Sequence, residues 1–595
     1  MENIEIARLL DVFADVLEIQ GENPFRVRAY RNAARTVRGH GAPMRKLLAE
    51  GADLTQLAGI GKEMASHIRA LVETGKLAQL EAALEAVPPQ VLDLMRIPGL
   101  GPKRAKQLWE ELGVASVDEL QRAVEEGRLA GLKGYGAKIR QNILEGIAAF
   151  RSQGSRFKLC DADQYVIPLV EHMRRAPGVE RVEVAGSYRR RRETVGDIDI
   201  LVIAQDMGPV MKHFTAYGGV ARVQSAGGTR GSVLLTSGLQ VDLRILSRES
   251  FGAALAYFTG SKEHNIRLRR IGIERGLRIS EYGVFRVEAE AKRGRSREEV
   301  EGKEALDRDP MAGELVAGRE EADVYKAVGL PWIPPELRED RGEIEAARQG
   351  TLPRLLQPTD IKGDLQVHST WSDGENTIEQ MLDACLARKY EYLAITDHSK
   401  AVTIARGLNG KRLREQWQAI DEVASRRGEI RILKGMEVDI LADGSLDLED
   451  ELIEELDLVV VAIHSKFNLP AVQQTERILK GLRHPRVHLF AHPTCRIINQ
   501  RKPIEFDLDE VLTAAAELGV AVELNASPDR LDLMDAHVLQ ARKKGVRIAI
   551  DTDAHRIEDL GLIRYGVEQA RRAWLGKEHV LNALPLDKLL KALRP

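Results

Sequence analysis

The sequence predicts a multidomain protein with three architectures in order: a helical amino-terminal part, a mixed α/β middle and a carboxy-terminal series of βα units. Three observations carry this reading. The chain has 595 residues, about four domains at roughly 150 residues each. Its hydrophobic period changes, from helical over 1–150, to β-branched runs at 182–246, to short apolar runs alternating with helical patterns after 362. Its composition, 44% hydrophobic and 30% charged, supplies several cores and excludes a disordered or collagen-like chain.

Charge and cysteine content exclude more. Lys plus Arg is 87 and Asp plus Glu is 90, for a net charge of -3. Any nucleic-acid surface must therefore be built locally. Cys160, Cys385 and Cys495 are too scattered for a disulfide framework or a Cys-rich zinc site, which predicts a reducing compartment. The start, MENIEIARLL, has no basic n-region. Apolar runs such as 458–463 are too short to span a bilayer. The expectation is a cytoplasmic monomer with no membrane partner.

In the helical part, LAGIGKEMASHI (57–68) and IPGLGPKRAKQL (97–108) share one pattern: apolar-x-Gly-apolar-Gly, then a polar helix start. LKGYGAKIRQNI, from Leu132, is a looser third copy. Such a turn presents unpaired N–H groups and the positive end of a helix dipole to an anion. Glycine lets the backbone come close. The pattern resembles the helix-hairpin-helix, which grips the DNA backbone without reading sequence. Gly59, Gly61, Gly99, Gly101 and Lys103 are its candidate DNA contacts, with Arg230 further along. Three basic runs, at 131–160, 181–192 and 261–278, read as a DNA footprint.

In the middle, 185–200 reads AGSYRRRRETVGDIDI. Asp197 and Asp199 are two apart on a predicted strand and so share a face. Asp242, in LQVDLRIL, offers a third carboxylate on a second strand. Crowded carboxylates repel, and divalent metals relieve the cost. Such a triad suits in-line phosphoryl transfer with Mg²⁺ or Mn²⁺. The Gly186-Ser187 turn and Arg189 and Arg190 are placed to neutralise a triphosphate.

GSYRR…GDIDI…VDLR, followed by YFTGSKEHN, resembles the family X DNA polymerases over about residues 1–335. The resemblance implies that Asp197, Asp199 and Asp242 are catalytic and bind the metals. It implies that Ser187, Arg190 and Gly196 hold the phosphates of a dNTP. Tyr257, Phe258 and Gly260 would flank the sugar, and Asn265 and Arg269 the nascent base pair. It implies an amino-terminal helix-hairpin-helix domain (1–82), a second helical DNA-binding domain (83–150), a nucleotidyltransferase palm (151–250) and a small α+β nucleotide-selecting end domain (251–335). His67 stands where members that excise an abasic sugar-phosphate carry a lysine. Imidazole cannot form that imine, so lyase activity is not expected.

A polar, charged stretch, 336–359, reads as a linker. Beyond it, His368 and Asp373, then His398, Glu437, His464, His492, Asp553 and His555 nearly all follow apolar strand-like runs. In a parallel barrel these strand ends converge at one mouth, and imidazoles with carboxylates suit Mn²⁺, Zn²⁺ or Fe²⁺. The segment 360–595 resembles the PHP (polymerase and histidinol phosphatase) domain, a (β/α)7 barrel with a metal cluster. The family's His-x-His opening is here Gln366-x-His368, a neutral oxygen in place of an imidazole. Arg406 and Arg496 are candidate phosphate clamps. Together the resemblances imply a repair polymerase for gapped or nicked duplex, with a 3′→5′ exonuclease or phosphoesterase barrel. A template-independent transferase, or a polymerase with a non-catalytic barrel, are the alternatives.

Overall fold

The computed structural model describes residues 3–593 apart from 41–43, 58, 96, 98–99, 133, 137–138, 145, 148–155, 288–310 and 312. The chain forms two compact units, Met1–Arg156 and Phe157–Pro595.

The first unit is helical among its described residues. Its two good Gly-containing repeats adopt one local geometry. Leu57 and Ile97 carbonyls each accept from the N–H three residues on, Ile60 and Leu100, at 3.0 Å. Gly61 and Gly101 then start the helices Lys62–Thr74 and Pro102–Leu112 with φ, ψ of -80°, 176° and -76°, 175°. Neither helix has a side-chain cap, so the first-turn N–H groups stay open to an anion. Gly59 has φ +71°, which a β-carbon would strain. Ile60, Leu100 and Tyr135, one per repeat, all enter the unit's apolar core.

The second unit contains three larger β-structures. The palm sheet has strand order β2-β4-β7-β6-β5: β2 (Val179–Val184), β4 (Asp197–Ala204), β5 (Val220–Ala226), β6 (Arg230–Leu235) and β7 (Gln240–Leu246). Only β4 and β7 pair in parallel. The short strands β1 (Phe157–Lys158) and β3 (Thr194–Val195) pair beside it. A small sheet, β8 (Leu277–Ser280), β9 (Gly283–Arg286) and β10 (Glu314–Ala317), packs with the helices Phe251–Thr259 and Lys262–Glu274.

The third is a seven-stranded parallel sheet in sequence order: β11 (Gly363–Val367), β12 (Tyr392–Ile395), β13 (Arg431–Asp439), β14 (Leu458–Ala462), β15 (Leu489–Phe490), β16 (Ala521–Asn525) and β17 (Ile548–Asp551). A parallel bridge from Val367 to Ala554 draws its two edges together into a barrel. Leu365, Ala394, Leu433, Val460 and Ala549 pack in one cluster with Leu589 of the final helix; Ile395, Val438, Val461 and Ile550 pack in another with the surrounding helices. Register shifts between Asp364 and Val367. Leu365 joins the first cluster and Val367 the second, as a bulge permits. No helix among the described residues is long and apolar enough to cross a membrane.

Two expectations need correction. The stretch 336–359 is not an open linker. It holds the helix Glu343–Gln349, and Leu337, Ile344, Ala347 and Leu355 join the apolar core of the end domain. Its charges misled the sequence reading because several are buried in pairs: Arg338 with Glu321, Glu339 with Arg190 and Arg572, Glu343 with His264. The basic run at 181–192 is likewise not an open surface. Arg189 pairs with Glu321, Arg190 with Glu339, and Arg191 with Asp163 and Glu568.

Candidate active sites

In the palm, Asp199 stands directly opposite Asp242 in the parallel register of β4 and β7, two pairs on from Asp197 opposite Gln240. Strand alternation puts Asp197 on the same face as Asp199. The Gln240 amide donates to both Asp242 oxygens at 3.2 and 3.3 Å. Burial, then the charges of Asp197 and Asp242, push the Asp199 carboxyl up to about 7. Carboxylates crowded in this way favour a nearby cation. Three such oxygen donors fit a hard divalent ion.

The phosphate-side turn is the short helix Gly186–Arg189. Gly186 has φ +66°, and a β-carbon there would lie 2.9 Å from Asp199 Oδ2. Only glycine brings the Ser187 turn this close to the triad. Gly196 is the single residue between β3 and β4. Arg190 differs from its expected role. It is buried, donating from Nε to Glu339 at 3.0 Å and from Nη1 to the Thr259 carbonyl at 2.5 Å. It ties the turn to the end domain rather than standing open to a ligand.

In the end domain, the Tyr257 and Phe258 rings meet edge-on at 5.1 Å. The Arg244 guanidinium lies over Phe258 at 4.1 Å. Asn265 Nδ2 donates to the Tyr257 carbonyl at 2.7 Å, and Arg269 Nε to the Asn265 carbonyl at 3.3 Å. A β-carbon on Gly260 would come within 3.1 Å of Arg190 Nη1. These residues therefore form one connected surface with the turn. Arg230, exposed on β6, pairs with Glu281 at 3.7 Å. In the first unit, Gly59, Gly61, Gly101 and Lys103 are exposed at their turns, while Gly99 lies outside the described residues. His67 is buried, its Nδ1 3.1 Å from the Tyr30 hydroxyl.

The barrel brings its candidates together. Glu437, fully buried on β13, receives His398 at 3.0 Å and His368 at 3.5 Å on one oxygen, and His492 at 2.9 Å and His464 at 3.4 Å on the other. His368 lies 3.1 Å from Asp553, and Asp373 lies 3.6 and 3.4 Å from His398 and His555. Three overlapping groups have metal-ligand spacing: His368 with Asp373, His398 and His555; His398 with Glu437 and His464; His368 with Glu437 and Asp553. Burial alone would raise the Glu437 carboxyl, but the His398 and His464 rings hold it well below the carboxylate range. Burial would likewise depress His464 and His555. Carboxylates raise both to about 10, chiefly Glu437 for His464 and Asp373 for His555. His492 and Asp553 have φ of +28° and +53°, left-handed backbone of the kind tolerated at functional sites.

Other buried polar atoms there have no hydrogen-bond partner: Nδ1 of His492 and both amide atoms of Gln366. Such groups are costly unless something binds them. The mixed nitrogen and oxygen donors fit Mn²⁺ or Zn²⁺.

Sequence reasoning missed three carboxylates. Glu523, on β16, accepts from the His492 N–H at 2.5 Å, and its Oε1 is unpartnered. Burial, then Asp553 and Asp551, raise it well above the carboxylate range. Asp551 is raised in the same way by burial and Asp364. Asp439 lies 3.3 Å from His464 Nδ1, orienting that ring. The signal was present in GVAVELN and VRIAID, where an acid interrupts or ends an otherwise apolar strand. Asp397 accepts from Ser369 N–H and Oγ at 2.9 and 2.6 Å and from Gln416 at 2.5 Å, so it fixes the loop leading to Asp373. Of the two proposed clamps, Arg496 is buried against Glu193 at 2.6 Å, whereas Arg406 is exposed and donates to the Ser372 carbonyl.

A carboxylate triad beside a glycine turn, and a separate histidine-rich centre inside a βα barrel, define a protein with two metal-dependent phosphoryl-transfer sites. Family models agree along the chain. A helix-hairpin-helix domain matches 1–77, a SAM-like helix-hairpin-helix tandem 91–149, the DNA polymerase beta palm 163–251, the DNA polymerase beta thumb 254–339 and the PHP domain 364–527. The DNA polymerase/3′-5′ exonuclease PolX of Bacillus subtilis is 38% identical over 588 residues, 98% of both chains. DNA polymerase lambda of Rattus norvegicus is 25% identical over 57% of this chain and 56% of its own. A probable phosphatase of Syntrophotalea carbinolica is 27% identical over 37% of this chain and 90% of its own. The chain belongs to the bacterial PolX family, the family X DNA polymerases that carry a C-terminal PHP domain.

Proposed function

We propose that this protein is a DNA-directed DNA polymerase that fills short gaps during repair, and that its barrel removes nucleotides from 3′ ends. The observation that carries this is the separation of two complete donor sets, one on β4 and β7 and one inside the barrel.

In the palm, Asp199 and Asp242 face each other where a primer 3′-hydroxyl must lose its proton, and Asp242 is the base placed for it. The N–H groups and hydroxyl of the Gly186-Ser187 turn orient the triphosphate. Tyr257 and Phe258 crowd the sugar position against a 2′-hydroxyl. In the barrel, His368, His398, Glu437, His464, His492, Asp553 and His555 form the wall of the cleavage site, and Asp373, part exposed, stands at its rim. Divalent ions, Mg²⁺ or Mn²⁺ in the palm and Mn²⁺ or Zn²⁺ in the barrel, supply charge stabilisation and a water acidic enough to ionise near neutral pH. The exposed hairpin turns hold DNA phosphates. The proposal places a cytoplasmic monomer on gapped or nicked duplex.

The test uses a labelled primer on a short-gapped duplex with Mn²⁺, with and without dNTPs. Asp197→Ala/Asp199→Ala abolishes extension and keeps primer shortening. His398→Ala/His464→Ala does the reverse. Equal extension of single strands and gapped duplex would replace the templated reading with a template-independent transferase. Full nuclease activity in the histidine variant would remove the barrel from the reaction.

A further inference from the structure

We infer that one barrel helix, Ile563–Arg572, holds the palm's nucleotide-binding turn in place, so that the nuclease domain is a structural part of the polymerase site. The inference rests on the polymerase reading and adds to it a dependence on residues nearly 400 positions away in sequence.

The contacts form one stripe. Tyr565, Glu568, Gln569 and Arg572 are spaced i, i+3, i+4 and i+7, which places them on one helix face. Each meets the palm at or beside residues 186–191. Arg572 Nη1 donates to the Arg190 carbonyl at 2.6 Å, and Gln569 Nε2 donates to the Arg191 carbonyl at 2.8 Å. Glu568 pairs with the Arg191 guanidinium at 2.8 Å. The Tyr565 hydroxyl donates to Asp163 Oδ2 at 2.9 Å, while Tyr188, inside the turn, donates to Asp163 Oδ1 at 2.7 Å. The two carbonyls belong to the residues that immediately follow the helix Gly186–Arg189. Arg191 has φ +53°, so the chain leaves the turn in a conformation that needs outside support.

The helix is itself firmly seated. A β-carbon on Gly566 would come within 2.5 Å of Ile550 and 2.8 Å of Ala526. It therefore lies tightly on β16 and β17, the strands that carry Glu523 and Asp551. Arg572 is 3% exposed in its side chain and is balanced by Glu339 at 3.0 Å and Asp535 at 2.7 Å. Glu339 also binds Arg190 Nε, and Arg190 Nη1 reaches the Thr259 carbonyl beside Gly260. One buried node thus joins barrel helix, phosphate-side turn and sugar-side corner. A displacement of the helix moves the turn against the triad. The triad itself stays fixed by the β4–β7 ladder, so the predicted loss is in nucleotide binding more than in the chemical step. Gln569 and Tyr565 are positioning residues in this scheme.

The experiment uses the full-length protein with Gln569→Glu and Tyr565→Phe. The first keeps the shape of the side chain and removes the donor; the second removes one hydroxyl. The dNTP KM and kcat of gap filling are measured alongside 3′→5′ exonuclease rate and thermal melting. The expected result is a five- to tenfold rise in dNTP KM for Gln569→Glu. A smaller rise is expected for Tyr565→Phe, with kcat and exonuclease rate within twofold of wild type in both. An unchanged KM in both variants overturns the inference and leaves the polymerase reading intact. A parallel fall of both activities overturns it too, since that marks general disruption of the barrel. Absence of extension by the wild type overturns the polymerase reading and the inference with it.

Discussion

Gln366→Leu tests the barrel centre by a change of sign. Gln366 is 0% exposed, and neither of its amide atoms has a hydrogen-bond partner. It lies on β11 two residues before His368. A buried, unpartnered amide costs about 1–3 kcal/mol, and leucine is close to glutamine in volume. In metal-free buffer the variant is therefore expected to be more stable than wild type by about 1–3 kcal/mol. Metal reverses the trend. Wild type gains about 2.7 kcal/mol at a metal concentration 100 times Kd. Each tenfold of affinity lost with the amide oxygen subtracts about 1.4 kcal/mol from the variant. Urea unfolding followed by tryptophan fluorescence, with chelator and with Mn²⁺, reads both effects, because Trp371, Trp417 and Trp574 lie in the barrel half. The variant is also expected to lose exonuclease activity and keep gap filling. A variant less stable than wild type without metal, by a margin that Mn²⁺ leaves unchanged, would refute the reasoning. The amide would then be an ordinary packing element.

Three further outcomes follow from other parts of the molecule. The His488 ring accepts from Val459 N–H at 3.0 Å and lies 2.6 Å from the Leu593 carbonyl. Burial holds it down at about 4 against an ordinary 6.5. The unfolded chain takes up this proton first as pH falls. The contribution is thus complete above pH 6.5 and is lost toward pH 4, a total of about 3 kcal/mol. His488→Gln should flatten that slope in urea titrations across the window. Glu321 holds Arg189 by two bonds of 2.7 and 2.9 Å, the fully buried Arg338 at 2.6 Å, and Trp332 Nε1 at 2.7 Å. Glu321→Ala strands a buried guanidinium and is expected to cost about 3–5 kcal/mol in denaturant unfolding; a loss under 1 kcal/mol would contradict the pairing. Gly186→Ala puts a β-carbon against Asp199 at a left-handed residue, so primer extension should fall at least tenfold while nuclease rate is unchanged.

The sequence by itself determined what is local. The hairpin turns were legible because apolar-x-Gly-apolar-Gly forms its own i→i+3 turn and helix start; Leu57 to Gly61 and Ile97 to Gly101 need little help from the rest of the chain. Asp197 and Asp199 share a face through the two-residue strand period alone. The barrel histidines were legible because each follows an apolar run, and parallel strands deliver their ends to one mouth. Tertiary structure decided which charges meet. Arg189, Arg190 and Arg191 read as a cationic surface, yet each pairs with a carboxylate from another element, Glu321, Glu339 or Glu568. The charged stretch 336–359 read as solvated for the same reason. Glu523 and Asp551 looked like ordinary strand acids until the closed barrel buried them beside Asp553. Turn and strand geometry is set by neighbours within a few residues. Charge compensation is set by whichever groups the closed fold excludes from water together, and these lie hundreds of residues apart, as Arg191 and Glu568 do.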